Sequence, residues 1–99
     1  MRMRARHSSG NVFRDVGFDP QEAENLRLRT DLMIQLTRLI DARRLTQARA
    51  AKLFGVTQPR VSDLVRGRIE LFSIDSLVEM LGRAGARVSL VVKAGKRVA

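Results

Sequence analysis

From Arg43 to Arg68 the chain carries seven bases, Arg43, Arg44, Arg49, Lys52, Arg60, Arg66 and Arg68, against a single acid, Asp63. Three planar polar side chains, Gln58, Arg60 and Asp63, fall within six consecutive residues of this stretch. An amide offers a donor and an acceptor together, a guanidinium a two-pronged donor, and a carboxylate only acceptors. Such groups can read the edges of planar heterocycles, and a dense field of cations around them suits a polyanion. Covalent chemistry finds no candidates. Cysteine is absent, and the only histidine, His7, stands in an arginine-rich terminal stretch. No carboxylate pair, Ser/His/Asp set or metal-ligand spacing occurs, so we expect a binding protein without enzymatic activity, cofactor or metal.

The rest of the chain must position those groups. Ninety-nine residues allow one domain, and 44% hydrophobic with 29% charged residues is ordinary globular composition. The net charge of +9 is unevenly placed. Arg2, Arg4, Arg6 and Arg14 come first without an acid, and residues 15–42 then hold six acids against three arginines. A basic block flanked by acidic segments points one face at an anion and leaves other surfaces for other work. No apolar run is long enough to span a membrane, and no apolar segment follows the N-terminal arginines as a secretory signal requires. A cytoplasmic location is the expectation.

Residues 1–10 show no hydrophobic periodicity and read as a disordered basic tail. Residues 11–18, with Val12, Phe13, Val16 and Phe18, read as an extended segment. A helix then starts clearly: Asp19 suits the N-cap, Pro20 the first position and Glu22 the third, a capping box. It continues to about Ala42 with Leu26, Met33, Leu36, Thr37 and Ile40 as its stripe. Leu28, Leu32, Leu39 and Ala42 widen that stripe, so the helix either has two partners or breaks near Thr30–Asp31. Thr46 caps the next helix, with Leu45 stapled onto Ala50, and Gly55 ends it. Thr57 caps a third, with Pro59 in its first turn and Val61, Leu64 and Val65 as its buried face. Gly67 closes that helix. Ser73 caps a fourth, stapled by Phe72 onto Leu77, with Ile74, Val78 and Leu81 completing its stripe. Gly82 and Gly85 mark its end. Residues 86–93 change period, Ala86, Val88, Leu90 and Val92 alternating with polar positions, and read as a β-strand. Residues 94–99 form a basic tail. The domain proper is thus 19–85.

Two short helices joined by a three-residue turn that opens on Gly make a helix-turn-helix motif over residues 46–67. The run LTQARAAKLFGVTQPRVSDLVRG (residues 45–67) resembles the DNA-binding core of the XRE, or phage-repressor-like, family. NVFRDVGF (residues 11–18) and LFSIDSLVEMLGRAGARVSLVV (residues 71–92) resemble the flanks of HigA-type antitoxins, small regulators encoded beside a RelE-like toxin that cleaves messenger RNA. The resemblance implies a mainly all-α, lambda-repressor-like bundle of four to five helices with a C-terminal β-strand. It also implies a transcriptional repressor that neutralises a RelE/HigB-like toxin. One departure is Arg49, where such proteins often carry Glu to complete a capping box after Thr46.

On a wheel of about 100° per residue, burying Val61, Leu64 and Val65 turns Pro59, Ser62, Asp63 and Arg66 outward and leaves Arg60 on the flank. In this motif the start of the second helix points into the major groove. Arg60 is then the candidate for guanine O6 and N7, and Gln58 for adenine N6 and N7. Asp63 either accepts from cytosine N4 or pairs with Arg60 one turn back. Pro59 either rests on a thymine methyl or only starts the helix. Phosphate contacts are expected from Arg44, Gln47, Arg49, Lys52, Thr57, Ser62, Arg66 and Arg68. Arg2, Arg4 and Arg6 form either a minor-groove arm or a tail adding nonspecific attraction.

One module of this size reads few base pairs, so a homodimer on a palindromic operator is expected, its second helices roughly 34 Å apart. The 86–93 strand, through Val88, Leu90, Val91 and Val92, is the expected device. It pairs either with its mate, with the 11–16 segment, or in an intrachain hairpin. Three functional readings follow: a repressor that is also an antitoxin, a regulator without a toxin, and a nonspecific nucleic-acid-packaging protein.

Overall fold

The computed structural model describes residues 19–94. The expected tail over 1–10 and extended segment over 11–18 lie outside them, as do residues 95–99 of the basic C-terminal tail. Among the described residues four α-helices, α1 (Pro20–Ala42), α2 (Gln47–Phe54), α3 (Gln58–Val65) and α4 (Ile74–Arg83), are joined by short loops, one of which holds a 3-10 turn at Ile69–Leu71.

Helix α1 begins as its sequence predicts. The Asp19 carboxylate accepts the Glu22 N–H at 2.7 Å, and Glu22 accepts the Asp19 N–H at 3.4 Å, completing the capping box. The helix then runs unbroken through Thr30–Asp31 to Ala42. Its broad apolar surface is explained by several partners: α1 packs on α4, on the 3-10 turn and on α3. Met33, Leu36 and Ile40 are the residues it buries. Arg44, in the loop that follows, sits at a left-handed φ of 52°.

Helices α2 and α3 meet across Gly55, whose φ of 73° lies in the left-handed region that a side chain disfavours. The stem of Arg83 lies against this glycine, so closely that a Cβ there would meet it at 2.7 Å. Phe54, Val61 and Leu64 fill the angle between the two helices and join Leu36 and Leu77 in one fully buried core. Burying each such side chain stabilises the fold by roughly 1.5–3 kcal/mol. Val65, expected on the buried face, is 43% exposed. Helix α3 is only eight residues long, and Val65 lines an open groove of about 270 Å³ between it and Thr30, Ile34 and Thr37 of α1.

Helix α4 opens on a capping box the sequence reading did not specify, Ser73 and Ser76 exchanging bonds at 3.1 and 3.2 Å. Phe72 and Leu77, the expected staple, are both buried. Gly82 is the penultimate residue of the helix, and Gly85, at φ 87°, makes the turn out. Two arginines tie the bundle together through backbone carbonyls. Arg43 donates to Ala84 at 3.2 Å, and Arg29 donates to Ile69 at 3.2 Å and Phe72 at 3.5 Å.

The expected strand over 86–93 does not form: residues 86–94 take no regular secondary structure. A strand needs a neighbour for its N–H and C=O groups, and no strand exists among the described residues to supply one. The Ala86 N–H turns back instead to the Leu81 carbonyl at 3.0 Å. Beyond it Val88 is 38%, Leu90 82%, Val91 79% and Val92 90% exposed. The four side chains expected at a dimer interface are therefore uncovered in the single chain.

Candidate nucleic-acid interface

The helix-turn-helix geometry holds the basic block on one pair of elements. Arg49 and Lys52 are exposed on α2, Arg66 caps the end of α3, and Arg44 and Arg68 lie exposed in the loops before and after the pair. Gln47, at the first position of α2, is exposed as well. Seven of the eight expected phosphate contacts, Ser62 being the half-buried exception, thus stand in solvent, where they can meet a backbone. One is engaged within the chain: Arg68 pairs with Glu70 at 3.1 Å. The Glu70 carboxyl is held below its ordinary value, first by its own backbone N–H and then by the Arg68 guanidinium.

The two N-caps of the motif differ. Thr46 accepts the Arg49 N–H at 3.1 Å, so the missing Glu at position 49 leaves the cap itself intact. Thr57 occupies the N-cap position of α3 but its side chain makes no capping bond. The cause is local. A capping hydroxyl looks for the N–H of the second or third helical residue. The second is Pro59, which has none, and the third, Arg60, gives its N–H to the Thr57 carbonyl at 3.1 Å. The Thr57 side chain is left facing solvent beside the exposed Gln58 and Pro59.

Of the expected base readers, Gln58 and Pro59 are fully presented and Asp63 is half-buried. Arg60 is placed differently. It lies half-buried on the flank of α3 that faces α4, its guanidinium carbon 4.3 Å from the centre of the Phe72 ring. Contacts of this kind contribute about 0.5–2 kcal/mol. It forms no ion pair with Asp63 among the described residues. The sequence reading placed Arg60 on the flank correctly but had no signal for its partner, because Phe72 was legible only as the staple of α4.

Among the described residues no group of three or more His, Cys, Asp or Glu gathers as a metal site, and no helix is long and apolar enough to cross a membrane.

Residues 12–93 match the helix-turn-helix domain family, a span that includes both flanks of the motif. Among solved structures, a chain described as an XRE-family transcriptional regulator superimposes with a TM-score of 0.70 at 34% sequence identity, over 78% of this chain and 89% of its own. No curated protein matches the sequence. With an uncapped second helix set in a basic block, and with both matches covering most of the domain, the chain belongs to the XRE-type helix-turn-helix family of transcriptional regulators.

Proposed function

We propose that this regulator is a sequence-specific repressor of double-stranded DNA, working as a homodimer, and the antitoxin of a type II toxin–antitoxin pair. The observation that carries the DNA side is the presented start of α3: an unbonded Thr57 side chain, then Gln58 and Pro59, in the middle of seven bases. Gln58, Pro59 and Asp63 touch base edges, and Thr57, Ser62 and the cations of α2 and the loops hold phosphates. If six to eight phosphates are neutralised, the logarithm of affinity falls with that of salt at a slope of roughly −0.9 per contact. A gel shift on the protein's own promoter with scrambled competitor tests this. Equal competition by scrambled duplex would mean a packaging protein instead.

The dimer rests on Leu90, Val91 and Val92, whose bare apolar side chains follow a strand-like sequence and gain an edge only from another strand. The antitoxin role rests on the HigA-like flanks and on the acidic block of residues 15–42, which suits a basic RelE/HigB-like ribonuclease. Co-expression with the adjacent gene product tests it: co-purification supports the pair, and separate elution refutes it. A regulator without a toxin partner accounts equally for the DNA-facing residues and fits the description of the solved relative. The absence of a small RelE-like gene next door would favour it.

A further inference from the structure

Helix α3 is anchored into the bundle at two points, Val61 and Leu64, its only buried residues. Three residues apart, they share one face of the helix, about 60° apart around its axis. Two anchors within so narrow an arc fix where the rod lies but hold its roll weakly. Roll is what a reading helix most needs fixed, because it decides which side chains meet the bases. On one flank Val65, 43% exposed, gives little purchase. On the other stands Arg60.

Arg60 crosses a space that is otherwise open. A cleft of about 450 Å³ lies on one side of it, lined also by Arg29 and Ser73, and one of about 150 Å³ on the other, lined also by Gly55 and Arg83. Between them its guanidinium meets the face of Phe72. Phe72 is itself immobilised: it is 2% exposed, it directly precedes the Ser73 cap of α4, and its carbonyl is held by Arg29. A strut from α3 to such a fixed point supplies the lateral hold that Val61 and Leu64 cannot.

We propose that Arg60 is a positioning residue: its stack on Phe72 fixes the roll of α3, and it governs DNA sequence preference through that roll rather than by touching a base. The proposal rests on the DNA-binding reading above. It takes Arg60 out of the set of direct readers and makes Phe72, a core residue, part of the specificity apparatus.

The test compares Arg60→Ala, Arg60→Met and Phe72→Leu in the full chain. Affinities are measured for promoter duplex, for scrambled duplex and for a panel of single-base-pair changes in the promoter. Methionine keeps an unbranched stem and a favourable contact with an aromatic ring but cannot form a two-pronged bond to guanine. A strut predicts that Arg60→Ala lowers the promoter-to-scrambled ratio by about 2- to 30-fold, the range of a lost cation–π contact. The loss is spread over several base pairs, Arg60→Met retains most of the ratio, and Phe72→Leu reproduces the Ala pattern. Direct reading predicts that Ala and Met lose the same preference at one base pair, and that result overturns the proposal. A merely structural role would lower thermal stability while leaving the ratio intact, which also overturns it.

A DNA-free measurement separates this proposal from the functional reading. In the free protein the Arg60 side-chain protons should resonate upfield under the Phe72 ring current and return to ordinary positions in Phe72→Leu. No upfield shift in the wild type removes the strut even if the promoter binds. An upfield shift with equal affinity for promoter and scrambled duplex refutes both the specific-repressor reading and the role of the strut in preference.

Discussion

The two helices of the motif start on the same residue type and treat it differently. At Thr46 the hydroxyl closes on the Arg49 N–H, and α2 is finished as a piece of local structure. At Thr57 the side chain has no bond to make, because Pro59 removes one donor and the Arg60 N–H is committed to a carbonyl. Helices α1 and α4 close their ends too, with Asp19–Glu22 and Ser73–Ser76. Among the described helices, three amino ends close on their own side chains, and at the fourth the Thr57 side chain stays unbonded. On the proposed reading this leaves recognition to α3 and local stability to the other three, although all share one core.

That division can be broken at several strengths. The largest effect tests the shared core. Phe54→Ala should cost about 3–5 kcal/mol in denaturant unfolding, since Phe54 is 1% exposed where α2 ends. A loss below about 1 kcal/mol would mean that the pair is not built on a common core. Next comes the bend. Gly55→Ala forces a side chain into the left-handed region and onto the Arg83 stem, and should cost about 1–2 kcal/mol in the melting transition. Adding Arg83→Ala relieves the crowding but not the backbone cost, so the double variant should recover only part of the loss.

The contrast between the caps gives a sharper pair. Thr46→Ala should lower stability by about 1 kcal/mol while leaving the DNA affinity of the folded protein unchanged. Thr57→Ala should stay within about 0.5 kcal/mol of the wild type in stability and bind DNA more weakly. If the two variants behave alike, the open end has no special function. On α2, Lys52→Ala should weaken binding to every sequence equally and flatten the salt slope by about one unit.

The smallest effect concerns acid. The Arg27 guanidinium, bonded to Glu24 at 2.7 Å, holds the Glu24 carboxyl below its ordinary value of 4.5. A carboxyl lowered in the folded state adds stability above its unfolded pKa and loses it as pH falls through the folded one. Glu24→Gln should therefore slightly lower stability near neutrality and flatten the acid limb below about pH 4.5, so that variant and wild type converge in acid. The pair is exposed, so the change is small.

The helices were legible because each is announced by short-range chemistry: Asp19-Pro20 with Glu22, Thr46, Gly55, Thr57, Ser73 and Gly85 all stand at helix boundaries. Where boundaries depend on distant contacts, the sequence said less. Nothing local told whether α1 would break at Thr30–Asp31; its several packing partners decided that. Val65 has the spacing of a core residue, yet it faces α1 across an open groove that no side chain fills. The alternation over 86–93 reports a disposition to pair, for which the described residues offer no partner strand. In the candidate site the cations and Gln58 were readable from type and position. The stack of Arg60 on Phe72 joins residues from two elements, and no pattern within either one encodes it.

Arg44 sits at a φ of 52°, a conformation in which asparagine or glycine would be more comfortable. Swapping it for either relaxes a backbone penalty on the order of 1–3 kcal/mol. The same swap deletes a cation beside the recognition pair. On the proposed reading, a replacement at this corner would raise the melting temperature and loosen the hold on a nucleic-acid backbone at once. A stability screen run without nucleic acid would then select replacements here that a binding screen would discard.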